Sequence, residues 1–392
     1  MTTQNENRNS ILKRGALLAG TAILGIGLAA GIADSALMQN HNAIAQPIQL
    51  SGTQAMVPSF ADLVDKAKPA VVSVRVKTGV ANAADERNLD DLPPELRRFF
   101  REPGENARPS RPQPQPRQGM SQGSGFFVSQ DGYVVTNNHV VENAAEVQIV
   151  TDSGKTLDAK VVGTDPRTDL ALLKVTEAGN YAYVELADAK PRIGDWVLAI
   201  GNPFGLGGTV TAGIVSAQGR DIGSGPYDDF IQIDAPINRG NSGGPTFNQK
   251  GEVVGVNTAI YSPSGGNVGI AFAIPASTVK QVVDSLKKDG SVARGFIGVQ
   301  IQPVTSEMAE AIGLKDAKGA LVAEAQGNGP AAKAGIRRGD TITAVNGEQI
   351  KDARELSRKI ATFAPGSKAT ITVFREGKSR DVTFEVGRLP AA

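Results

Sequence analysis

Short runs of β-branched and apolar residues recur along the chain from Ala70 onward, and clusters of Gly, Pro, Asn and Asp separate them. This spacing is typical of an antiparallel sandwich or barrel. No helical repeat lies between the runs, so a parallel sheet with crossover helices is disfavoured. The predicted strands cover residues 71–76, 125–129, 133–136, 147–151, 170–175, 196–201, 209–216, 230–234, 253–258 and 270–274.

A helical period follows the last of these strands. Residues 277–288 place four apolar side chains at helical spacing, with Ser277 as the expected N-cap and Gly290 just past the end. Residues 295–388 then have the size of a small independent domain. Its strands are predicted near 297, 320–324, 341–345, 369–375 and 379–386, with a main helix at 352–363. We therefore expect two folded units, at 46–290 and 291–390.

The first 45 residues have the pattern of an export or anchor segment. Arg8, Lys13 and Arg14 precede a run at 15–33 that carries no charge and one polar side chain. About 20 apolar residues can span a bilayer, and a basic flank stays in the cytoplasm. The small residues at 43–45 also fit a signal-peptide cleavage site. A retained anchor in the inner membrane and a cleaved signal therefore both remain open, and either places the rest of the chain outside the cytoplasm.

Residues 79–122 interrupt the strand pattern with charge and proline. Proline cannot donate a ladder hydrogen bond, so this segment supplies neither a strand nor a core. We expect a long, solvated loop. Docking of its proline-rich part in an aromatic groove is the alternative.

Composition narrows the chemistry that the chain can perform. Forty-one Lys and Arg against 40 Asp and Glu give a formal charge of +1, so nothing in the global charge points to nucleic acid. Cysteine is absent, which excludes disulfides, thiol catalysis and Cys-ligated metals. We expect no metal and no cofactor. The two histidines are His41, which falls in the leader or linker, and His139, which is left as the candidate base at neutral pH.

A glycine-flanked serine is the most informative feature of the chain, in the string Gly240-Asn-Ser242-Gly-Gly-Pro245. Flanking glycines let the backbone fold tightly, so that the hydroxyl projects while the amides of Gly240 and Ser242 converge on one point. Converging amides stabilise the oxyanion of acyl transfer, where removing one donor costs roughly 2.7 to 4 kcal/mol. A plain glycine-rich turn is the alternative.

His139 and an aspartate complete a candidate triad. His139 follows a predicted strand, where a side chain can face a cleft; a histidine packed in the core is the alternative. The third member should be a buried carboxylate that orients the imidazole. Asp169 stands at the start of an apolar strand, and Asp165 is its competitor.

The order His139, Asp169, Ser242 is that of chymotrypsin and differs from the orders of subtilisins and α/β-hydrolases. The antiparallel strand pattern agrees with it independently. By analogy, we expect a mainly β protein with a chymotrypsin-like double six-stranded barrel and the triad in the cleft between the barrels.

Several strings together resemble the HtrA (Do-like, DegP/DegQ/DegS-type) envelope serine proteases, over about residues 57–388. The matching strings are Thr136-Asn-Asn-His139-Val, Asp165-Pro-Arg-Thr-Asp169-Leu-Ala, Ala199-Ile-Gly-Asn-Pro-Phe204-Gly, Ile231-Gln-Ile-Asp234-Ala-Pro-Ile-Asn-Arg-Gly240-Asn-Ser242-Gly-Gly-Pro and Gly269-Ile-Ala-Phe-Ala-Ile-Pro275.

The resemblance implies a periplasmic, ATP-independent serine endopeptidase of protein quality control and the stress response. It implies a trypsin-like domain, a C-terminal PDZ domain, a homotrimer or an oligomer of trimers, and substrates that are unfolded or mislocalised envelope proteins. Cleavage would follow small or medium aliphatic residues. A chaperone or scaffold in which proteolysis is secondary is the alternative function.

The resemblance also carries site residues over. It implies an oxyanion loop at 237–241 and a regulatory loop at 219–229, with Arg220 as the candidate sensor, while the insertion at 79–122 resembles a loop that reaches a neighbouring subunit. The implied oxyanion hole comprises Gly240, Asn241 and Ser242. The implied specificity pocket comprises Ile237, Asn257, Thr258, Ala259 and Ile260.

The C-terminal unit matches a PDZ carboxylate-binding loop in the string Phe296, Ile297, Gly298, Val299. The backbone amides of Ile297 and Gly298 would hold the carboxylate of a hydrophobic C-terminal peptide, which adds as a strand beside 298–301 against the helix at 352–363. A small sandwich without a ligand is the alternative. The chain carries one such domain, as the anchored members of the family do, whereas its long insertion is more like that of members with two.

Overall fold

The computed structural model describes residues 59–78 and 120–390, except residues 206 and 264. The predicted signal or anchor segment at 1–45 and most of the loop predicted at 79–122 lie outside the described residues. Within the described ranges, no helix is both long and apolar enough to cross a membrane. The first element is the short helix α1 (Ala61–Ala67), which a 3-10 turn at Lys68–Ala70 joins to the first strand.

Six antiparallel strands close the first barrel, in the order β1-β2-β3-β6-β5-β4. They are β1 (Val71–Thr78), β2 (Met120–Phe127), β3 (Tyr133–Thr136), β4 (Ala144–Val150), β5 (Thr156–Asp165) and β6 (Leu170–Val175). Val72, Val74 and Val76 of β1 lie in the barrel core, as expected because alternate side chains of a strand share a face. The sequence pattern missed β5, most of whose residues are exposed or half-buried.

Six more antiparallel strands close the second barrel, in the order β10-β11-β12-β9-β8-β7. They are β7 (Trp196–Gly201), β8 (Thr209–Arg220), β9 (Phe230–Ile233), β10 (Pro245–Phe247), β11 (Val253–Ile260) and β12 (Ala271–Pro275). The predicted mainly β class with two six-stranded barrels is confirmed. The three-residue strand β10 was missed because it directly follows the glycine-rich string.

One apolar cluster joins the two barrels and fixes their relative position. Its fully buried members include Phe126 and Leu172 of the first barrel and Leu198 and Phe247 of the second. Burying a side chain of this size contributes about 1.5–3 kcal/mol relative to exposing it. The loops that meet above this cluster are therefore held on a rigid base.

Helix α3 (Ala276–Asp289) packs across both barrels and ends the protease unit. Its apolar face, predicted from helical spacing, lies in the cluster between the barrels. The predicted N-cap Ser277 was wrong: the helix begins at Ala276, and Pro275 is the residue before it. Proline fixes the extended entry, so no side-chain cap is made there. Gly290 caps the other end with φ +67°, as expected.

The C-terminal unit is a sheet in the order β14-β15-β16-β18-β19, flanked by short helices. Its strands are β13 (Gly295–Phe296), β14 (Val299–Pro303), β15 (Ala320–Ala325), β16 (Thr341–Val345), β17 (Glu348–Gln349), β18 (Lys368–Arg375), β19 (Lys378–Glu385) and β20 (Gly387–Arg388). Its helices are α4 (Ser306–Ile312), α5 (Pro330–Lys333) and α6 (Ala353–Ala361). Strand β14 lies at the edge of the sheet and pairs with β15 alone among the described strands.

Candidate active site

His139 lies on a single helical turn directly after β3, which we call α2 (Asn138–Val141). The next two residues, Val140 and Val141, are buried in the core of the first barrel and anchor this turn. The histidine side chain is 22 % exposed. The turn thus holds an imidazole at the mouth of the barrel and not in its core.

Asp169 binds His139 at two points. Its Oδ1 accepts the backbone amide of His139 at 3.0 Å, and its Oδ2 lies 2.7 Å from His139 Nδ1. Its carbonyl oxygen accepts from the Asn138 amide at 3.1 Å and from Asn137 Nδ2 at 2.9 Å. With Nδ1 engaged in this way, the imidazole can offer Nε2 as a base toward the cleft.

This arrangement strains the backbone of Asp169, whose φ is +55°. A non-glycine residue in that region costs roughly 1–2 kcal/mol, so surrounding contacts must hold it there. The expectation of a buried orienting carboxylate was wrong for Asp169, whose side chain is 26 % exposed. It needs no burial because hydrogen-bond donors surround both of its oxygens.

The competing carboxylate, Asp165, is the buried one, and it does not bind the histidine. Its side chain is 4 % exposed and forms an ion pair with Arg294. The structure therefore brings Asp169, and not Asp165, to His139.

Ser242 belongs to the second barrel and lies on the loop between β9 and β10. Gly240 and Gly243 have φ +90° and +84°. A Cβ atom would lie 2.6 Å from Pro203 Cβ at the first position and 2.2 Å from the Ser124 carbonyl oxygen at the second. Only glycine fits such contacts, which explains the glycines around the serine.

The serine loop is docked on β2 through Ser124. The Ser124 amide donates to the Ser242 carbonyl oxygen at 2.8 Å, and its hydroxyl donates to the Gly240 carbonyl oxygen at 2.6 Å. Ser124 is fully buried, so these bonds are shielded from water. Ser124 is not recognisable from the sequence, because nothing local marks one serine of β2 as a support for a distant loop.

Thr258 of β11 contacts both Asp169 and Ser242. Its Oγ1 donates to Asp169 Oδ2 at 2.5 Å, while its carbonyl oxygen accepts from Ser242 Oγ at 3.5 Å. The sequence predicts Thr258 as a residue of the specificity pocket. Asn257 and Thr258 are the two polar residues of an apolar strand, which indicates polar contacts but not their partners.

The amides beside Ser242 differ in what they bind. The Asn241 amide donates to the Asn238 carbonyl oxygen at 3.0 Å and is therefore engaged in a turn. The amides of Gly240 and Ser242 donate to no other group among the described residues. Asn241 Oδ1 is buried without a partner in that same part of the chain.

The residues predicted to line the specificity pocket are all buried. Ile237 is 0 % and Ile260 1 % exposed, and both belong to the core cluster of the second barrel. Asn257 points between strands, where its Oδ1 accepts from Thr246 Oγ1 at 2.6 Å. The two isoleucines therefore lie in the packed interior of the second barrel.

Comparisons with known proteins agree with this geometry. Residues 123–256 match the model of the trypsin-like peptidase domain, and residues 295–386 match that of the PDZ domain. A probable periplasmic serine endoprotease, DegP-like, of Rhizobium meliloti is 58 % identical over 356 residues, which cover 86 % of this chain and 71 % of that protein. The chain belongs to the HtrA-type serine endoproteases.

Further HtrA relatives extend the match. A DegP-like protein of Brucella suis is 56 % identical over 353 residues, covering 84 % of this chain and 69 % of its own length. The solved structure of the HtrA-type protease AlgW with a tripeptide has a TM-score of 0.70 at 37 % identity, covering 86 % of this chain and 99 % of that one. A serine endoprotease of Yersinia pestis gives 0.60 at 33 % identity, covering 86 % and 100 %.

The loop that follows β8 in this HtrA chain is organised around Asp228. That buried carboxylate accepts from the amides of Ile222 and Ser224, each at 3.0 Å, and from Ser224 Oγ at 2.6 Å. Arg220, the candidate sensor, donates from Nε to Gln232 Oε1 at 2.8 Å. The loop is thus a defined structure with Arg220 at its base.

Helix α6 of the PDZ domain contacts this loop with two arginines that sequence reasoning missed. Arg358 Nη1 donates to the Asp228 carbonyl oxygen at 2.9 Å, and Arg354 forms an ion pair with Asp221. Their spacing of four residues places them on one helix face. Charged helix positions are usually solvated, so the sequence alone does not distinguish these two.

The predicted carboxylate-binding loop precedes β14. Gly298 has φ +73°, and a Cβ there would lie 3.0 Å from Gly329 Cα. The carbonyl oxygens of Ile297 and Gly298 accept from the amides of Ala331 and Gln326, both at 2.9 Å. These bonds fix the loop beside the open edge of β14, where Phe296 and Val299 flank it.

Proposed function

We propose that Ser242 is the nucleophile, His139 the general base and Asp169 the group that orients the imidazole. The observation that carries this proposal is the double contact of Asp169 with the amide and Nδ1 of His139. His139 would take the serine proton during attack on the scissile carbonyl and return it to the leaving amine.

The test of the nucleophile is Ser242→Ala. The change removes the attacking oxygen and keeps a small side chain in the glycine turn, so we expect a folded protein that does not digest casein. Digestion by the purified variant would exclude Ser242. Casein bound but not cut would measure the holding activity that the chaperone alternative requires.

The oxyanion would be held by the amides of Gly240 and Ser242. Both lack an acceptor among the described residues, whereas the amide of Asn241, the third predicted member, is engaged in its turn. Donors of this kind stabilise the charge that develops on the carbonyl oxygen. A peptide aldehyde whose hemiacetal oxygen contacts other donors in a solved complex would contradict this assignment.

The specificity pocket would accept small or medium aliphatic side chains. Ile237, Ala259 and Ile260 are buried and apolar, which suits an aliphatic side chain of the substrate. A peptide library should show cleavage after Val, Ala or Ile. Preferred cleavage after Arg or Phe would contradict the proposal.

The PDZ domain would bind peptides with a free, hydrophobic C-terminus and raise proteolysis through the loop at 219–229. The open edge of β14 and the glycine at 298 support strand addition, and the relative AlgW has been solved with a tripeptide and with a decapeptide. Calorimetry should detect free peptides and not amidated ones. Equal binding of the two would exclude carboxylate recognition.

A homotrimer, or an oligomer of trimers, would cover exposed apolar side chains at the start of β7 and in the loop before it. Trp196 is 42 % exposed, with its ring centroid 6.0 Å from that of the half-buried Phe60, and Ile193 is 67 % exposed. A subunit interface would remove these side chains from water. Light scattering should give three times the subunit mass or a multiple of it, and Trp196→Glu should dissociate the assembly.

We also propose that the protein acts in the periplasm on unfolded or mislocalised envelope proteins, with no cofactor. The relatives named periplasmic support the compartment. N-terminal sequencing of the envelope-purified protein distinguishes a retained anchor at 15–33 from a cleaved signal.

A further inference from the structure

A buried ion pair joins the turn before Asp169 to the start of the PDZ domain. Arg294 Nη1 donates to Asp165 Oδ1 at 2.8 Å, and Nη2 binds Oδ2 of the same carboxylate. The side chains are 9 % and 4 % exposed. A two-point, charge-assisted contact fixes orientation as well as distance.

Arg294 is held on its other sides as well. Its carbonyl oxygen accepts the Leu389 amide at 2.9 Å, and it directly precedes β13, which pairs with β20. Its guanidinium lies over the ring of Tyr227, 4.9 Å from the centroid. The backbone of Arg294 therefore belongs to the PDZ domain, while its side chain is fixed in the protease domain.

Arg294 binds Asp165 in the turn that leads directly to Asp169. Within the turn, Thr168 Oγ1 donates to Asp165 Oδ2 at 2.5 Å. The two backbone hydrogen bonds of the turn are longer. The Thr168 amide lies 3.3 Å from the Asp165 carbonyl oxygen, and the Asp169 amide lies 3.4 Å from the Pro166 carbonyl oxygen. The Asp165 carboxylate thus makes the shortest contact inside the turn. The turn ends in the strained φ of Asp169.

We propose that Arg294 is a positioning residue for catalysis. It locks Asp165, and Asp165 holds the turn in the shape that keeps Asp169 in the left-handed region and on His139. Without this lock the turn relaxes, φ of Asp169 returns toward an unstrained value, and its carboxylate leaves the His139 amide and Nδ1. The proposal rests on the role proposed for Asp169, and it assigns the competing aspartate of the same string to support and not to the triad.

The alternative is that the pair only attaches the PDZ domain. The chain offers a matched control, because Arg375 binds Asp340 through Nε and Nη2, both at 2.6 Å, and the Asp340 side chain is 1 % exposed. This second pair lies wholly inside the PDZ domain. Its loss perturbs that domain without touching the turn of Asp169.

The experiment measures kcat and KM on a short internally quenched peptide with an amidated C-terminus, so that the PDZ groove takes no part. The variants are Arg294→Met, Arg294→Lys, Asp165→Asn with Arg294→Met, and the control Arg375→Met. A displacement of about 1 Å in a catalytic group costs on the order of a hundredfold. We therefore expect kcat to fall about 10- to 100-fold in Arg294→Met, with KM unchanged within about twofold.

The remaining variants distinguish three causes of a lower kcat: a displaced Asp169, an unpaired buried charge on Asp165, and a PDZ domain that is no longer attached. Arg294→Lys should recover part of the lost kcat, because it restores the charge with one contact. The double variant leaves no unpaired buried charge, so it folds even where Arg294→Met does not. Its turn still lacks the ion pair between residues 165 and 294, so kcat should stay low. Arg375→Met should keep kcat within about twofold of the parent.

A parental kcat in Arg294→Met, full recovery in the double variant, or an equal loss in Arg375→Met would each overturn the inference. Ser242→Ala and Asp169→Asn are measured beside these variants. If those two keep their activity, the proposed triad itself fails; if they lose it while Arg294→Met does not, only the positioning role fails.

Discussion

The two barrels contribute unequal halves to the candidate active site. The first barrel carries His139 and Asp169, and five hydrogen bonds, at distances between 2.5 and 3.1 Å, fix the aspartate. The second barrel carries Ser242, whose hydroxyl makes a 3.5 Å contact, on a loop where Asn241 Oδ1 is buried without a partner among the described residues.

This difference indicates which half can be regulated. The acid-base half is expected to stay in one geometry, because five hydrogen bonds fix Asp169. The hydroxyl of Ser242 has a single 3.5 Å contact and can be shifted between arrangements at a lower cost. The loop at 219–229, which we propose to be regulatory, precedes β9 and lies in the second barrel with the serine loop. Activation should therefore act on the nucleophile half and leave the His139–Asp169 contact unchanged.

Apart from Ser242→Ala, the largest loss of activity is expected from a change in the half of the site that contains His139 and Asp169. Asp169→Asn should lower turnover by up to about four orders of magnitude, because an amide can hold the wrong imidazole tautomer. Thermal unfolding should change little. Steady-state kinetics beside Asp165→Asn check this, since a greater loss of kcat in Asp165→Asn would show that the wrong carboxylate was chosen.

Thr258→Val should give the next effect, because it removes the hydroxyl that binds Asp169 while keeping the shape of the side chain. A hydrogen bond to a charged group contributes about 1.5–3 kcal/mol, so we expect kcat/KM to fall at least about tenfold. Thr258→Ser is the matched control and should retain most of the activity. Equal losses in both would show that packing of the methyl group is what matters.

The smallest change in basal activity is expected from variants that affect the second barrel through the loop at 219–229. Replacing Arg354 and Arg358 together with Met removes the contacts of α6 with the loop, so basal cleavage should stay within about twofold. Stimulation by a free C-terminal peptide should fall about fivefold or more, the lower range of typical allosteric coupling. Unchanged stimulation, with peptide binding confirmed by calorimetry, would exclude this contact as the route.

Much of the fold was predictable because it depends on local patterns. Alternating apolar strands, turn residues between them and the order of three reactive residues together predict the double barrel. The strands β5 and β10 were not predicted, because the first is largely solvated and the second is three residues long. Both segments form strands because they hydrogen-bond to neighbouring strands of a closed barrel. Their own residues do not show a strand pattern.

The candidate site was predictable as a set of residues and not as a set of contacts. The glycines around Ser242 and the scarcity of histidine pointed to the reactive groups directly. Ser124, Thr258 and Arg294 bind Gly240, Asp169 and Asp165, which lie 116, 89 and 129 positions away in the chain. A single sequence carries no signal of such pairing. Asp165 was misjudged as a competitor for the same reason, since its partner lies beyond the end of α3.

Labelling with a fluorophosphonate, followed by peptide mapping, tests the central claim most directly, because the reagent reacts with a serine only when a histidine activates it. We expect one adduct, on Ser242, that forms faster when a free C-terminal peptide is present and is lost in both His139→Ala and Asp169→Asn. An adduct on another residue, or labelling of Ser242 at the parental rate in His139→Ala, would contradict it.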